Sequence, residues 1–256
     1  MENETLNLKE RLRESLYLFK TFDHTNLQFN LHEGDIKKLC GEAIENEYYI
    51  RAVCIYSYWV KTAKECLGDF YSPDWRKSKI KISPVIGGFP HGNVATLCKV
   101  HEAENALRDG ANEIDLVMNA GAFLNEKYKY VSREIKEVVL AVNWGCVNTK
   151  VIIKAPLLGT YGKIIDACKL VEEAGADFVK DSTGFECYFD NEVYNMNAKV
   201  NTIEAMKHSV KLGVKAAGSI KILEDALRLK EAGANILGCS KTMNILNEAK
   251  GTIEEN

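Results

Sequence analysis

Two lysines stand inside short apolar runs: Lys180 in Ala176-Asp177-Phe178-Val179-Lys180, and Lys215 in Gly213-Val214-Lys215-Ala216-Ala217. An amine in such a run is desolvated, and desolvation disfavours its charged form. A nucleophilic lysine needs that condition, because only the free base attacks a carbonyl. Moving a lysine from its reference pKa of about 10.4 to about 7 corresponds to about 4–5 kcal/mol. A carboxylate joins the pair, since Asp115 lies in the run Glu113-Ile114-Asp115-Leu116-Val117-Met118. Period-two alternation puts Phe178 and Lys180 on one face of their strand, and Val179 and Asp181 on the other. Two readings stand for these charges. Asp115 and Lys215 form a buried ion pair that merely tolerates burial. Alternatively, one carboxylate does not serve two amines, and one lysine stays neutral and cleft-facing as a Schiff-base candidate.

The elements that must hold these residues follow a repeated phrase. Asp109-Gly110-Ala111-Asn112 returns as Ala174-Gly175-Ala176-Asp177 and again as Ala232-Gly233-Ala234-Asn235. Each time a glycine ends a helical pattern and precedes an apolar run, as a left-handed helix cap requires. The copies are spaced by about two βα units. The pattern predicts strands at 19–24, 50–56, 80–87, 112–118, 149–155, 176–182, 213–218 and 234–239. Between them lie amphipathic stretches. The helix at 93–109 is expected to bury Leu97, Val100, Ala103 and Leu107, and the one at 222–232 to bury Leu223, Ala226 and Leu227. An extra helix is expected at about 6–17. Strands and helices that alternate eight times imply a parallel sheet. At 256 residues, with no Gly-x-Gly-x-x-Gly after the first strand, the expectation is one (β/α)8 barrel domain over 1–256.

Composition narrows the class of function. The chain is 46% hydrophobic and 27% charged, with a net charge of -3. That balance argues against a nucleic-acid or membrane partner. The opening Met1-Glu2-Asn3-Glu4-Thr5 is polar, unlike a secretory signal. The eight cysteines are scattered, without Cys-x-x-Cys pairs or zinc-ligand spacing, which suits reduced thiols in the cytoplasm and no metal. His24 and His91 read as structural hydrogen-bonding groups.

Reacting groups in a barrel gather at the carboxyl ends of its strands. There the last two loops read Gly218-Ser219-Ile220-Lys221 and Gly238-Cys239-Ser240-Lys241. Small residues let backbone N–H groups approach an anion at a helix N-terminus, so these loops are a candidate phosphate cradle.

Taken together, the motifs resemble the deoxyribose-phosphate aldolase family. They include Asp23-His24-Thr25-Asn26-Leu27, Val53-Cys54-Ile55-Tyr56 and Gly88-Phe89-Pro90-His91-Gly92-Asn93. Further matches are Glu113-Ile114-Asp115-Leu116-Val117-Met118-Asn119, Lys150-Val151-Ile152-Ile153, Phe178-Val179-Lys180, Ser182-Thr183-Gly184 and Val214-Lys215-Ala216. The resemblance spans nearly the whole chain. It implies a class I aldolase that reversibly cleaves 2-deoxy-D-ribose 5-phosphate to acetaldehyde and D-glyceraldehyde 3-phosphate, without cofactor or metal. It further implies that Lys180 forms the Schiff base, while Lys215 tunes it and joins Asp115 and water in a proton relay. Asp23, Cys54 and Thr183 would line the substrate pocket. Gly218, Ser219, Gly238 and Ser240 would hold the phosphate, with Lys221 in place of the family's arginine. The family's barrels often pair as homodimers.

The chain departs from the family at several points. Asp181 follows the lysine where threonine is usual, and Lys154-Ala155-Pro156 replaces Glu-Thr after the fifth strand. Lys154 and Asp181, at the ends of adjacent strands, are expected to pair. These changes motivate an alternative reading, a weakened aldolase-like barrel that serves as a binding protein. A third reading is a Schiff-base lyase for another sugar phosphate.

Overall fold

The computed structural model describes residues 17–74, 76–145, 147–186 and 195–254. Residues 6–16 of the expected N-terminal helix, and Cys146 and Cys187, lie outside them. Eight strands close in chain order into one parallel barrel: β1 (Phe22–Thr25), β2 (Ile50–Tyr56), β3 (Lys81–Ile86), β4 (Glu113–Val117), β5 (Asn148–Ile152), β6 (Phe178–Lys180), β7 (Gly213–Ala217) and β8 (Ile236–Cys239). Pairing of β1 with β8 completes the ring. The helices packed outside are α1 (Glu33–Glu45), α2 (Val60–Leu67), α3 (Thr96–Asp109), α4 (Ala120–Leu124), α5 (Tyr128–Val142), α6 (Ala155–Leu158), α7 (Tyr161–Glu173), α8 (Met196–Ser209), α9 (Leu223–Glu231) and α10 (Thr242–Glu254). No helix among the described residues is long and apolar enough to cross a membrane.

The repeated glycine phrase closes α3, α7 and α9 in the same way. Gly110, Gly175 and Gly233 all take positive φ, at 121°, 88° and 102°. The alanine that follows each glycine donates back across the last turn: Ala111 to Ala106, Ala176 to Val171 and Ala234 to Leu229. This bond satisfies carbonyls that the helix end leaves open and aims the chain into the next strand.

Alternation along the strands sorts two environments. Ile114, Leu116, Val151, Val179, Val214 and Leu237 are fully buried in the apolar layer between sheet and helices. Each such side chain contributes about 1.5–3 kcal/mol through its removal from water. Asp23, Ser83, Glu113, Asp115, Lys150, Lys180 and Lys215 are buried too, but they are polar or charged and contact one another. A barrel interior usually holds layers of branched apolar residues; here charge fills much of it.

One expected helix face is corrected. On α3 the buried positions are Lys99, Ala103, Ala106 and Leu107, while Leu97 is 76% exposed. The helix begins only at Thr96, so Leu97 overhangs its first turn. Lys99 turns inward because its amine finds partners there: Val117 O at 2.7 Å and Glu134 Oε1 at 2.9 Å.

Candidate active site

Register places the chemistry. In the β6–β7 ladder Lys180 lies opposite Lys215, and in the β4–β5 ladder Asp115 lies opposite Lys150. Both Lys180 Nζ and Lys215 Nζ donate to the same oxygen, Asp115 Oδ2, at 2.7 Å each. The other oxygen, Oδ1, accepts from Lys150 Nζ at 3.0 Å and Ser83 Oγ at 3.1 Å. Lys215 also donates to Asp23 Oδ2. Below this layer Lys150 meets Glu113 Oε2 at 2.7 Å, and Arg51 spans Asp23 and Glu113. Lys81 closes the lower end on Glu113 Oε1 at 3.1 Å.

The expectation of one carboxylate for two amines is therefore replaced. Three fully buried carboxylates, Asp23, Glu113 and Asp115, face four enclosed cationic groups, Arg51, Lys150, Lys180 and Lys215. With Lys81 also paired to Glu113, cationic groups outnumber carboxylates in the cluster. Arg51, Lys150 and Glu113 were the members that sequence reasoning missed. For Glu113 and Lys150 the signal was present, because each is a charged residue in an apolar strand, with Glu113 on the alternation of Asp115. Arg51 shares the parity of Val53 and Ile55, which pack in the outer layer, so alternation alone would not have turned it inward.

The electrostatics follow from this packing. Burial opposes the charged form of Asp115, but Lys150, Lys180 and Lys215 outweigh it and hold its carboxyl well below the ordinary range. Glu113 is held well down in the same way, against burial, by Arg51, Lys150 and Lys81. Asp23 is lowered by Arg51 and Lys215 despite its burial. Lys215 goes opposite to the expectation from desolvation. Burial does disfavour its ammonium, yet the carboxylates of Asp115 and Asp23 prevail and its pKa is raised. Lys215 is thus a fixed cation beside Lys180.

Lys180 is the member of this cluster that reaches a cavity, of about 870 Å³, at the carboxyl ends of the strands. Thr183, Gly218, Ser219, Gly238 and Ser240 line the same cavity. Thr183 is held by Glu186, which accepts from Thr183 Oγ1 at 2.7 Å and from Thr183 N–H at 2.9 Å. Gly218 and Ser219 both take left-handed backbone, with φ of 79° and 58°. A Cβ at Gly218 would lie 2.8 Å from Gly184 Cα, so the glycine lets the two loops touch.

Three other expected site residues do not line the cavity, although Asp23 and Cys54 adjoin the charge cluster. Asp23 sits beneath the cavity with no exposure, bonded to Lys215 and Arg51. Cys54 is buried with Leu27 and Val85, against Tyr56, Phe89 and Phe185, and burial pushes its thiol up. Lys221 is exposed, its backbone N–H donates to Asp225 of α9, and it does not line the cavity, whereas Lys241 does. His24 pairs with Glu42 at 2.8 Å, and His91 accepts from Lys154 through its backbone carbonyl.

The expected Lys154–Asp181 pair does not form. Lys154 donates to Pro90 O at 3.0 Å and His91 O at 3.5 Å, which ties the β5 end to the β3 loop. Asp181 faces away from the barrel axis and binds Lys199 of α8. The alternation that aims Lys180 inward aims its neighbour toward the helices. The extra carboxylate is therefore neutralised, and the substitution that motivated the binding-protein reading loses its force.

Fold and cavity together define a (β/α)8 barrel enzyme with an amine at its mouth. The chain belongs to the DeoC/LacD family of aldolases, whose pattern matches residues 17–247, and is accordingly a carbon–carbon lyase. It is 44% identical to a deoxyribose-phosphate aldolase of Thermococcus gammatolerans over 233 residues, covering 90% of this chain and 96% of that one. A deoxyribose-phosphate aldolase of Caldicellulosiruptor saccharolyticus is 42% identical, with the same coverage of each chain. Among solved structures, QR15, an aldolase, superposes with a TM-score of 0.78 at 34% identity, covering 93% of this chain and 96% of that one.

Proposed function

We propose that this aldolase cleaves 2-deoxy-D-ribose 5-phosphate reversibly to acetaldehyde and D-glyceraldehyde 3-phosphate, through a Schiff base on Lys180. One observation carries the assignment: Lys180 brings the amine of a buried charge cluster to the cavity wall, 2.7 Å from Asp115. Its free base attacks C1 of the open-chain aldehyde, and the carbinolamine loses water to give an iminium. Removal of the proton from the C3 hydroxyl breaks the C2–C3 bond. The electron pair moves to the iminium, leaves an enamine and releases glyceraldehyde 3-phosphate. Protonation of the enamine carbon and addition of water then free acetaldehyde and the amine. Asp115 and Lys215, with water, are assigned the relay of these protons, which the bonds from Lys215 and Lys180 to Asp115 support. The iminium itself carries the positive charge that stabilises the developing carbanion.

The phosphate is assigned to the Gly218-Ser219 and Gly238-Ser240 turns. Lys241 supplies charge from the cavity wall in place of Lys221. The N-terminus of α10, at Thr242, adds the partial positive charge of a helix end. Six described cysteines are free thiols, which supports a cytoplasmic location.

Sodium borohydride added with substrate or acetaldehyde tests the chemistry. The expected product is an ethyl group on Lys180, located by peptide mass spectrometry. Lys180→Leu leaves Asp115 paired with Lys150 and Lys215, so it is expected to fold, to trap nothing and to lose turnover. An unmodified Lys180, or an active Lys180→Leu enzyme, refutes the Schiff-base assignment.

A further inference from the structure

The ladder between β6 and β7 is short. Phe178 pairs with Gly213, Val179 with Val214 and Lys180 with Lys215. One more backbone bond follows, from Asp181 N–H to Lys215 O at 3.1 Å. In a regular parallel ladder Asp181 O would then accept from Ala217 N–H. That carbonyl instead turns toward the β5 side and accepts from Ala155 N–H at 2.7 Å. The Asp181 side chain supplies the missing acceptor, with Oδ1 taking Ala217 N–H at 2.7 Å. Its Oδ2 binds the ammonium of Lys199, which also donates to Ala217 O at 2.6 Å. Both side chains are buried, to 0% and 1% residue exposure. Carboxylate, amine and the peptide groups of Ala217 form a closed ring, one residue beyond Lys180 and two beyond Lys215.

We propose that Asp181 and Lys199 are positioning residues for the aldolase reaction: their ring locks the end of β6 to the end of β7. It thereby holds the Lys180 amine against Asp115 and Lys215. The proposal rests on Lys180 being the reacting amine. Buried ion pairs often contribute no more stability than a packed apolar pair of similar size, so the contribution of this one lies in geometry. Geometry matters here because a misplacement of about 1 Å at a reacting centre costs about a hundredfold in rate. The ring replaces a backbone bond where the ladder has already parted, and just beyond it Ser182 Oγ also donates to Ala217 O, at 2.5 Å.

The test is kinetic. Asp181→Thr combined with Lys199→Met removes both charged members of the pair. The expected enzyme melts cooperatively, loses about tenfold or more in kcat and changes little in KM. A second variant, Asp181→Glu, keeps the charge and the partner but lengthens the arm by one methylene. It is expected to lose kcat at nearly constant KM as well, whereas a purely charge-satisfying role leaves kcat untouched. Parent-like kcat in either folded variant, or a loss confined to KM, overturns the proposal. Borohydride trapping of the parent separates this idea from the function it rests on. An ethyl adduct on Lys180 of the parent together with full-rate variants sinks the positioning role alone; no adduct in the parent sinks both.

Discussion

Asp115→Asn puts the charge cluster under the sharpest strain. Asp115 accepts from Lys180, Lys215, Lys150 and Ser83, at 2.7, 2.7, 3.0 and 3.1 Å. An amide keeps one acceptor oxygen and turns an N–H₂ group toward ammonium donors. Arg51, Lys150, Lys180 and Lys215 would then share only Asp23 and Glu113. Breaking a buried pair by removal of one partner costs about 3–5 kcal/mol. For a domain of this size that is a fall in melting temperature on the order of 10 °C. Loss of a positioned acid–base group lowers kcat by about 10²–10⁴. Thermal melts followed by circular dichroism at pH 7 measure the first effect, and the rate of glyceraldehyde 3-phosphate release measures the second. A variant that melts within about 2 °C of the parent and turns over at the parent rate would show that Asp115 does not hold the cluster together.

Two further outcomes follow from the same charges. Lys215→Leu removes the fixed cation beside Lys180, and a neighbouring cation favours the free amine. The rising limb of the kcat profile is therefore expected at higher pH in the variant, and an unshifted limb would exclude tuning by Lys215. Asp23, Glu113 and Asp115 are all held below their ordinary pKa values of 3.8, 4.5 and 3.8 by their cationic neighbours, against burial. The unfolded chain then binds more protons than the folded one, so their stabilisation is complete above the ordinary values and is lost as pH falls through the lowered ones. The melting temperature is expected to decline steeply below about pH 4; a flat response down to pH 3 would contradict the paired state of these carboxylates.

Much of the barrel was legible because its signals are local. A glycine that ends a helix in left-handed backbone is favoured whatever the rest of the chain does, and Gly110, Gly175 and Gly233 mark three of the eight units in this way. Strand ends shifted by a few residues at most: β6 spans Phe178–Lys180 inside the expected 176–182. The shortening has a cause, since the backbone turns at Asp181 and sends its carbonyl toward Ala155. Leu97 was misread because helical periodicity identifies a face but not the residue at which the helix starts. Lys99 was not among the residues expected on the buried face, because the carboxylate and carbonyl that hold its amine inside come from distant parts of the chain.

Local alternation, then, determined by itself that Lys180 and Asp181 point to opposite faces of their strand, because side chains of a strand alternate whatever surrounds them. Which charge meets which was decided only when the sheet closed. Lys215 binds Asp23, 192 residues away in the chain, because β8 joins β1 and brings β7 near β1. Asp181 meets Lys199 instead of Lys154, and Lys241 instead of Lys221 reaches the cavity, for the same reason. Coulombic partners are chosen by distance through space, and no linear pattern of residues carries that distance until the chain has folded.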